Sequence, residues 1–114
     1  MQAMDAVKAL EAAIQQSPEY LAFTRAKEEL EGDSGVAGLI QEYHRMQTAL
    51  QMNMLSGKAP DGEETQRFQQ LSMLLFADNR TAGYLMAEMQ LQKMMAEIFE
   101  RLTRAAGMDL PRPQ

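Results

Sequence analysis

The stretch DNRTAGYLMAEMQLQKMMAEIFERLTRAAG, residues 78–107, decides the fold because it is the longest uninterrupted helical pattern in the chain. It contains no proline, and before the closing Gly107 its one glycine, Gly83, lies near its start. Its apolar residues recur at intervals of four and three, the spacing of a coiled-coil-like seam. The seam residues are Leu91, Met95, Ile98, Leu102 and Ala105. We therefore expect one long helix here, with the other segments packed around it.

The apolar face of this long helix changes direction along its length. At about 100° per residue, the seam and its apolar neighbours fall within one broad stripe. Four residues of the first turns point to nearly the opposite side: Ala82, Leu85, Met86 and Met89. A helix that is apolar on two faces is normally enclosed, between other helices or in a subunit interface. These four residues are therefore the candidate interface.

Length and residue pattern predict a single all-α domain. The 114 residues suffice for one domain with a modest core, and no alternating run rich in Val, Ile and Thr predicts a strand. Earlier helical patterns cover about 3–16, 18–31, 34–55 and 63–76. With the long helix, this gives about five helices.

Local signals predict where these helices begin and end. Ser17, Asp33 and either Asp78 or Asn79 are expected N-caps, and Gly32 is expected to end the second helix. The domain is assigned to residues 1–107. The tail 108–114 contains two prolines and is expected to fray.

Helix length predicts the architecture. At about 1.5 Å per residue, a helix of about 27 residues spans roughly 40 Å. A compact chain of this size has a radius of gyration of only about 13–14 Å. We therefore expect an elongated antiparallel bundle in which the third and fifth helices form a hairpin. Such a bundle leaves apolar seam uncovered, so a homodimer is expected.

Charge and cysteine content argue against several classes of function. The net charge is −5 and no basic stripe is present, so direct nucleic-acid binding is not expected. The absence of cysteine excludes disulfides, thiolate metal sites and cysteine nucleophiles. No apolar run approaches the length of about 18 residues typical of a membrane span, and the first residues lack a signal-peptide pattern. A cytoplasmic protein without membrane contact is therefore expected.

No group of residues predicts catalysis or a metal site. His44 is the only histidine, whereas a di-iron bundle needs repeated Glu-x-x-His, and Gln41 stands three residues before it. Gly32, Gly35 and Gly38 form a G-x-x-G-x-x-G pattern without a preceding strand, so helix termination and close packing explain them better than a dinucleotide loop. We expect no enzymatic activity, no metal and no cofactor.

Methionine is the most suggestive residue type, with eleven copies in the chain. Its flexible, polarizable side chain is frequent at adaptable binding surfaces, and it also fills cores. For Met95, on the main seam, a position in the core or dimer seam is favoured. For Met86 and Met89 the pattern supports interface and core about equally.

The residues at the helix ends, and the motif between them, resemble those of a known protein family. These residues are Ser17-Pro18-Glu19-Tyr20, Phe23, Ala26-Lys27-Glu28-Glu29-Leu30-Glu31 and Asp33. Together with a long helix, a Gly/Pro loop and a final helix opening at Asp78, this order resembles the YlbF/YmcA family of small bacterial proteins. The absence of cysteine makes the chain similar to the YheA-like branch.

The resemblance implies an all-helical cytoplasmic protein that forms dimers or hetero-complexes and has no enzymatic activity. Family members act in competence, sporulation and biofilm control, through a complex that assists the endoribonuclease RNase Y in mRNA processing. Some members hold iron–sulfur clusters through cysteines, and this cofactor does not carry over because the chain has none. The leading hypothesis is a regulatory or adaptor protein, and the alternative is a structural or chaperone-like homodimer.

Overall fold

The computed structural model describes residues 2–59 and 61–108, and within these ranges the chain forms five α-helices and no strand. The helices are α1 (Ala3–Gln15), α2 (Pro18–Glu29), α3 (Ser34–Leu55), α4 (Gly62–Ala77) and α5 (Asn79–Ala106). The all-α class and the five helices are confirmed, and the predicted ends agree to within two residues. Of the tail that was expected to fray, residues 109–114 lie outside the described residues.

The predicted capping residues begin the helices. Ser17, Asp33 and Asp78 each accept a hydrogen bond from a backbone N–H in the first turn of the helix that follows, at 3.1, 3.1 and 2.8 Å. Asp61 does the same for α4 at 3.1 Å. These bonds satisfy backbone donors that have no partner within the helix. The helix starts are therefore fixed by short-range chemistry.

Glycine ends three of the helices. Gly32, Gly57 and Gly107 have φ angles of +88°, +77° and +68°. This left-handed conformation strains residues that carry a Cβ, and it lets the chain turn away from a helix end. Helices α2, α3 and α5 are therefore each followed by a backbone conformation that only glycine adopts without strain.

The chain divides into two compact units. The first joins the residues up to Glu28 with those from Gly83 onward, so it contains α1, most of α2 and most of α5. The second is Glu29–Ala82 and contains α3 and α4. Helix α5 begins in the second unit and continues through the first. The assignment of residues 1–107 to a single domain stays a prediction.

The second unit is built on a hairpin of α3 and α4. These helices are joined by six residues and pack along each other, with the rings of Tyr43 and Phe68 stacked at a centroid distance of 5.1 Å. Leu30, Ile40 and Leu75 are its buried apolar side chains. The predicted hairpin of the two long helices, α3 with α5, and the elongated shape stay predictions.

The first unit has a small buried core. The rings of Phe23 on α2 and Tyr84 on α5 meet at a centroid distance of 5.4 Å, and Leu85 is buried. Neither α1 nor α2 contains a buried residue. Most apolar residues of these two helices therefore retain contact with solvent.

Candidate interaction surface

The four residues of the candidate interface differ in how far their side chains are exposed to solvent. Leu85 is 2% exposed and belongs to the core of the first unit, whereas Met86 and Met89 are each 59% exposed. Ala82 is half-buried. The exposed part of this face is therefore a pair of methionine side chains, and its role as an interface stays a prediction.

The heptad seam of α5 is not enclosed by the chain. Met95 is 38% exposed and Leu102 is 53% exposed, and Leu91 and Ile98 are half-buried. Met95 is thus not a core residue of the single chain, although a position in a dimer seam remains open to it. The seam therefore presents a row of partly covered apolar side chains.

Helix α1 presents a second apolar stripe of the same kind. Ala3, Val7, Leu10 and Ile14 recur at intervals of four, three and four, and each is exposed or half-buried. Met4 beside them is also exposed. Scattered apolar residues are normal on a protein surface, but a stripe at heptad spacing is the pattern of a helix that packs against another helix.

Sequence reasoning missed two further exposed apolar sites, both in the second unit. They lie at the C-terminal ends of α3 and α4, and their residues are Met52, Met54 and Leu55, and Met73, Leu74 and Phe76. The signal was present, since in both runs apolar residues face several sides of the helix within one turn. A helix end with this composition needs covering on more sides than one neighbour provides.

Ion pairs mark the solvent side of α5. Arg101 lies 3.3 Å from Glu97, and Arg104 lies 2.9 Å from Glu100, both at i,i+4 spacing. Exposed pairs of this kind contribute little to stability, about 0–1 kcal/mol each. They support the helix and identify the face that stays in water.

A cleft of about 150 Å³ lies between α3 and α4. Its floor is apolar, with Met46 and Leu50, and its rim carries Arg45 and Glu64 among other charged residues. The side chain of Arg45 donates two hydrogen bonds to Glu42, and this contact holds the pKa of Glu42 below its ordinary value. Arg45 is therefore already hydrogen-bonded to a carboxylate of its own helix.

The aromatic contact of the first unit has a titratable member. The pKa of Tyr84 is raised above its ordinary value, first because the phenol is partly buried and then because of the negative charge of Glu88 and its hydrogen bond. The phenol therefore stays neutral at physiological pH. It acts as a packing residue beside the buried Leu85.

The described part of the chain contains neither a group of metal-ligating residues nor a helix that could span a membrane. No three His, Cys, Asp or Glu residues among 2–59 and 61–108 are placed to hold a metal ion. His44 lies edge-on to the ring of Tyr43 at 6.0 Å. None of the five described helices is long and apolar enough to cross a membrane.

The sequence of all five helices matches a known protein family. The family described as control of competence regulator ComK, YlbF/YmcA, matches residues 3–105. The chain belongs to this family. The match covers all five helices almost completely, so the sequence resemblance and the fold agree.

Related proteins match over nearly their whole length. A UPF0342 protein from Symbiobacterium thermophilum is 30% identical over 107 residues, which is 94% of this chain and 96% of the relative. A UPF0342 protein from Streptococcus pyogenes serotype M4 is 33% identical over 106 residues, 93% of each chain.

A solved structure supports the fold. A protein of unknown function (DUF964) from Bacillus stearothermophilus superimposes with a TM-score of 0.71, covers 91% of both chains and shares 20% sequence identity. This likeness concerns the fold alone.

Proposed function

We propose that this protein is a non-enzymatic regulatory or adaptor protein of the cytoplasm that works as a homodimer through protein–protein contacts. Family membership supports the regulatory role. The observation that carries the dimer is the pair of heptad stripes on α1 and α5, which lie in the same unit and remain partly exposed in the single chain. Burying such stripes against a second copy removes apolar surface from water, at about 25 cal/mol per Å².

The spacing of the apolar residues on α1 and α5 favours association of two copies. A helix that carries one apolar stripe buries it against another helix, and a four–three repeat favours the side-by-side packing of coiled coils. Helix α1 has a stripe and no buried residue. The second half of α5 has a stripe with Leu102 more than half exposed. Two copies facing each other would cover both stripes.

For the partner we propose a protein complex that assists RNase Y in mRNA processing, as the family resemblance implies. The net charge of −5 supports an indirect role, since a protein with this charge meets RNA through a partner more readily than by itself. Co-purification of tagged protein with RNase Y in a host that contains both, and its loss in a non-dimerising variant, tests this role.

The dimer is tested by placing charge in the seam. Met95→Glu combined with Leu102→Glu should convert the dimer into a helical monomer, because two carboxylates would be buried in an apolar contact. Light scattering measures the mass, and circular dichroism shows that the helices persist. The matched control is Met73→Glu combined with Leu74→Glu on α4, which should leave the dimer intact. The proposal would be overturned if the wild-type protein had the mass of a monomer, or if the Met95→Glu, Leu102→Glu variant still had the mass of a dimer.

The alternative is a structural or chaperone-like homodimer, and exposure of Met86 and Met89 favours it as a second candidate. In that case the methionine face itself is used for self-association. Met86→Glu combined with Met89→Glu separates the two functions. A folded monomer would support the alternative, whereas an unchanged dimer that no longer recovers its partner would support the adaptor.

A further inference from the structure

The tip of the α3–α4 hairpin carries an unusually exposed apolar patch. We define the hairpin tip as the last turn of α3, residues 52–55, with the N-cap of α4 and the helical residues that follow it, 61–64. Within it, Met52, Met54 and Leu55 are 63%, 73% and 82% exposed. Three such side chains within four consecutive positions form a patch, which marks a binding surface more often than single exposed residues do.

The backbone explains why the chain leaves this patch uncovered. Gly57 turns with φ +77°, its N–H donates to Met54 O at 3.2 Å, and the N–H of Lys58 donates to Asn53 O at 2.9 Å. The turn therefore closes directly on the end of α3. Leu50, one turn earlier, still lines the cleft against α4, whereas the last turn lies beyond that cover.

The charge around the patch is negative. Asp61, Glu63 and Glu64 are all exposed in and before the first turn of α4, and Glu64 borders the same cleft as Leu50. Helix α3 has no basic residue in its last turn, so the partial negative charge of its C-terminus is not neutralised there. Glu63 is paired with Arg67 at 3.5 Å, and Lys58 is the cation of the connecting turn. Carboxylates thus outnumber the positive charges at the tip.

The apolar patch at the end of α4 differs in this respect. It consists of Met73, Leu74 and Phe76. The two aspartates of the adjoining turns, Asp33 and Asp78, share one arginine. Arg80 lies 3.6 Å from Asp33 and 3.5 Å from Asp78. Exposed methionine and leucine therefore occur at both ends of the hairpin, whereas unpaired acidic charge accompanies them at the tip.

We propose that the hairpin tip docks a basic amphipathic helix of a partner protein. Methionine side chains adapt to varied apolar surfaces, and the carboxylates of Asp61 and Glu64, which form no ion pair among the described residues, favour a helix whose polar face carries lysine or arginine. A second copy of this chain would bring the same negative tip and is disfavoured by repulsion. This inference rests on the proposed contact function and names the chemistry of the partner at a surface separate from the heptad stripes.

The test uses a short synthetic helix of leucine and lysine in helical spacing, labelled with fluorescein, and its leucine–glutamate counterpart. Fluorescence anisotropy should show binding of the basic peptide, no binding of the acidic one, and weaker binding as salt is added. Met54→Gln combined with Leu55→Gln should weaken binding about tenfold or more, since two apolar anchors are lost. Met73→Gln combined with Leu74→Gln is the matched control and should bind like wild type.

Three results would overturn the inference: no binding of the basic peptide, equal binding of both peptides, or equal weakening by the two double variants. Circular dichroism of each variant confirms that its helices are intact. Light scattering on the same samples separates this inference from the proposed function. A wild-type dimer that does not bind the basic peptide would contradict the docking site at the tip alone, whereas a monomeric wild type that binds the peptide would contradict the dimer alone.

Discussion

Thr81, at the start of α5, is a buried polar residue whose hydroxyl joins two helices. It is 1% exposed, and its hydroxyl donates to the carbonyl of Leu75 at the end of α4 and lies 3.1 Å from the carbonyl of Asp78. A buried hydroxyl is tolerated when it is hydrogen-bonded, and its partners then depend on it. Thr81 therefore fixes the junction at which the chain leaves the α3–α4 hairpin.

Replacing Thr81 with valine tests this role at nearly constant volume. The buried carbonyl of Leu75 would lose its donor, so the free energy of unfolding should fall by about 1–3 kcal/mol. Equilibrium unfolding in urea at a fixed protein concentration measures it. Thr24→Val is the matched control, because that hydroxyl bonds to Tyr20 within α2 and is half-buried. Equal stability of Thr81→Val and wild type would contradict the role.

Two glycines should respond to alanine in opposite directions. Gly83 lies within α5, and a Cβ added there meets nothing within 4 Å, so Gly83→Ala should raise stability by about 0.5–1 kcal/mol. Gly32 has φ +88°, so Gly32→Ala should cost about 1–2 kcal/mol although the space is also open. Thermal unfolding followed by circular dichroism measures both. A loss of stability in Gly83→Ala would mean that this position is closely covered in the assembled protein.

At the scale of the helix, Asp78 makes the start of α5 sensitive to pH. Its pKa is lowered, first by the hydrogen bond from the backbone N–H of Arg80 and further by the Arg80 side chain. A carboxylate with a lowered pKa stabilises the fold above the ordinary aspartate pKa of about 3.9, and that contribution is lost as pH falls through the lowered pKa. The cap should therefore weaken in acid.

Asp78→Asn measures this effect, because asparagine keeps a capping oxygen and does not titrate in this range. Wild type should be more stable than the variant near neutral pH, and the difference should shrink as pH falls below the pKa of aspartate. Urea unfolding of both proteins across this pH range gives the difference. A difference that is independent of pH would show that the charge of Asp78 does not contribute.

The helices could be predicted from sequence because their ends depend on neighbouring residues. Asp33 and Gly32 act on backbone groups a few positions away. The start of α3 and the end of α2 could therefore be predicted from these residues. The burial of a side chain depends on which other helix packs against it. The spacing of apolar residues along the sequence does not identify that helix. Leu85 and Met89 are one turn apart on α5, and the periodicity predicts that they share a face, yet Leu85 is buried and Met89 is exposed. The tip of the α3–α4 hairpin was missed for the same reason.

At the scale of the whole molecule, the chain combines exposed apolar stripes with a net charge of −5. In the proposed homodimer, two copies would attract through the stripes of α1 and α5 and repel through their net charge. Adding salt screens repulsion over a Debye length of about 8–10 Å at moderate ionic strength and leaves apolar contact in place. The proposed homodimer should therefore become tighter as salt is added, whereas docking of a basic helix at the hairpin tip should become weaker.

These opposite salt dependences give a prediction for the assembled protein. Sedimentation equilibrium at low and moderate salt should show the dissociation constant of the dimer falling, and the thermal midpoint should rise with protein concentration because association stabilises the folded chain. The seam variant Met95→Glu with Leu102→Glu is the control and should show no concentration dependence. A dimer that dissociates as salt is added would place its stability in charge pairs and contradict an interface built on the heptad stripes.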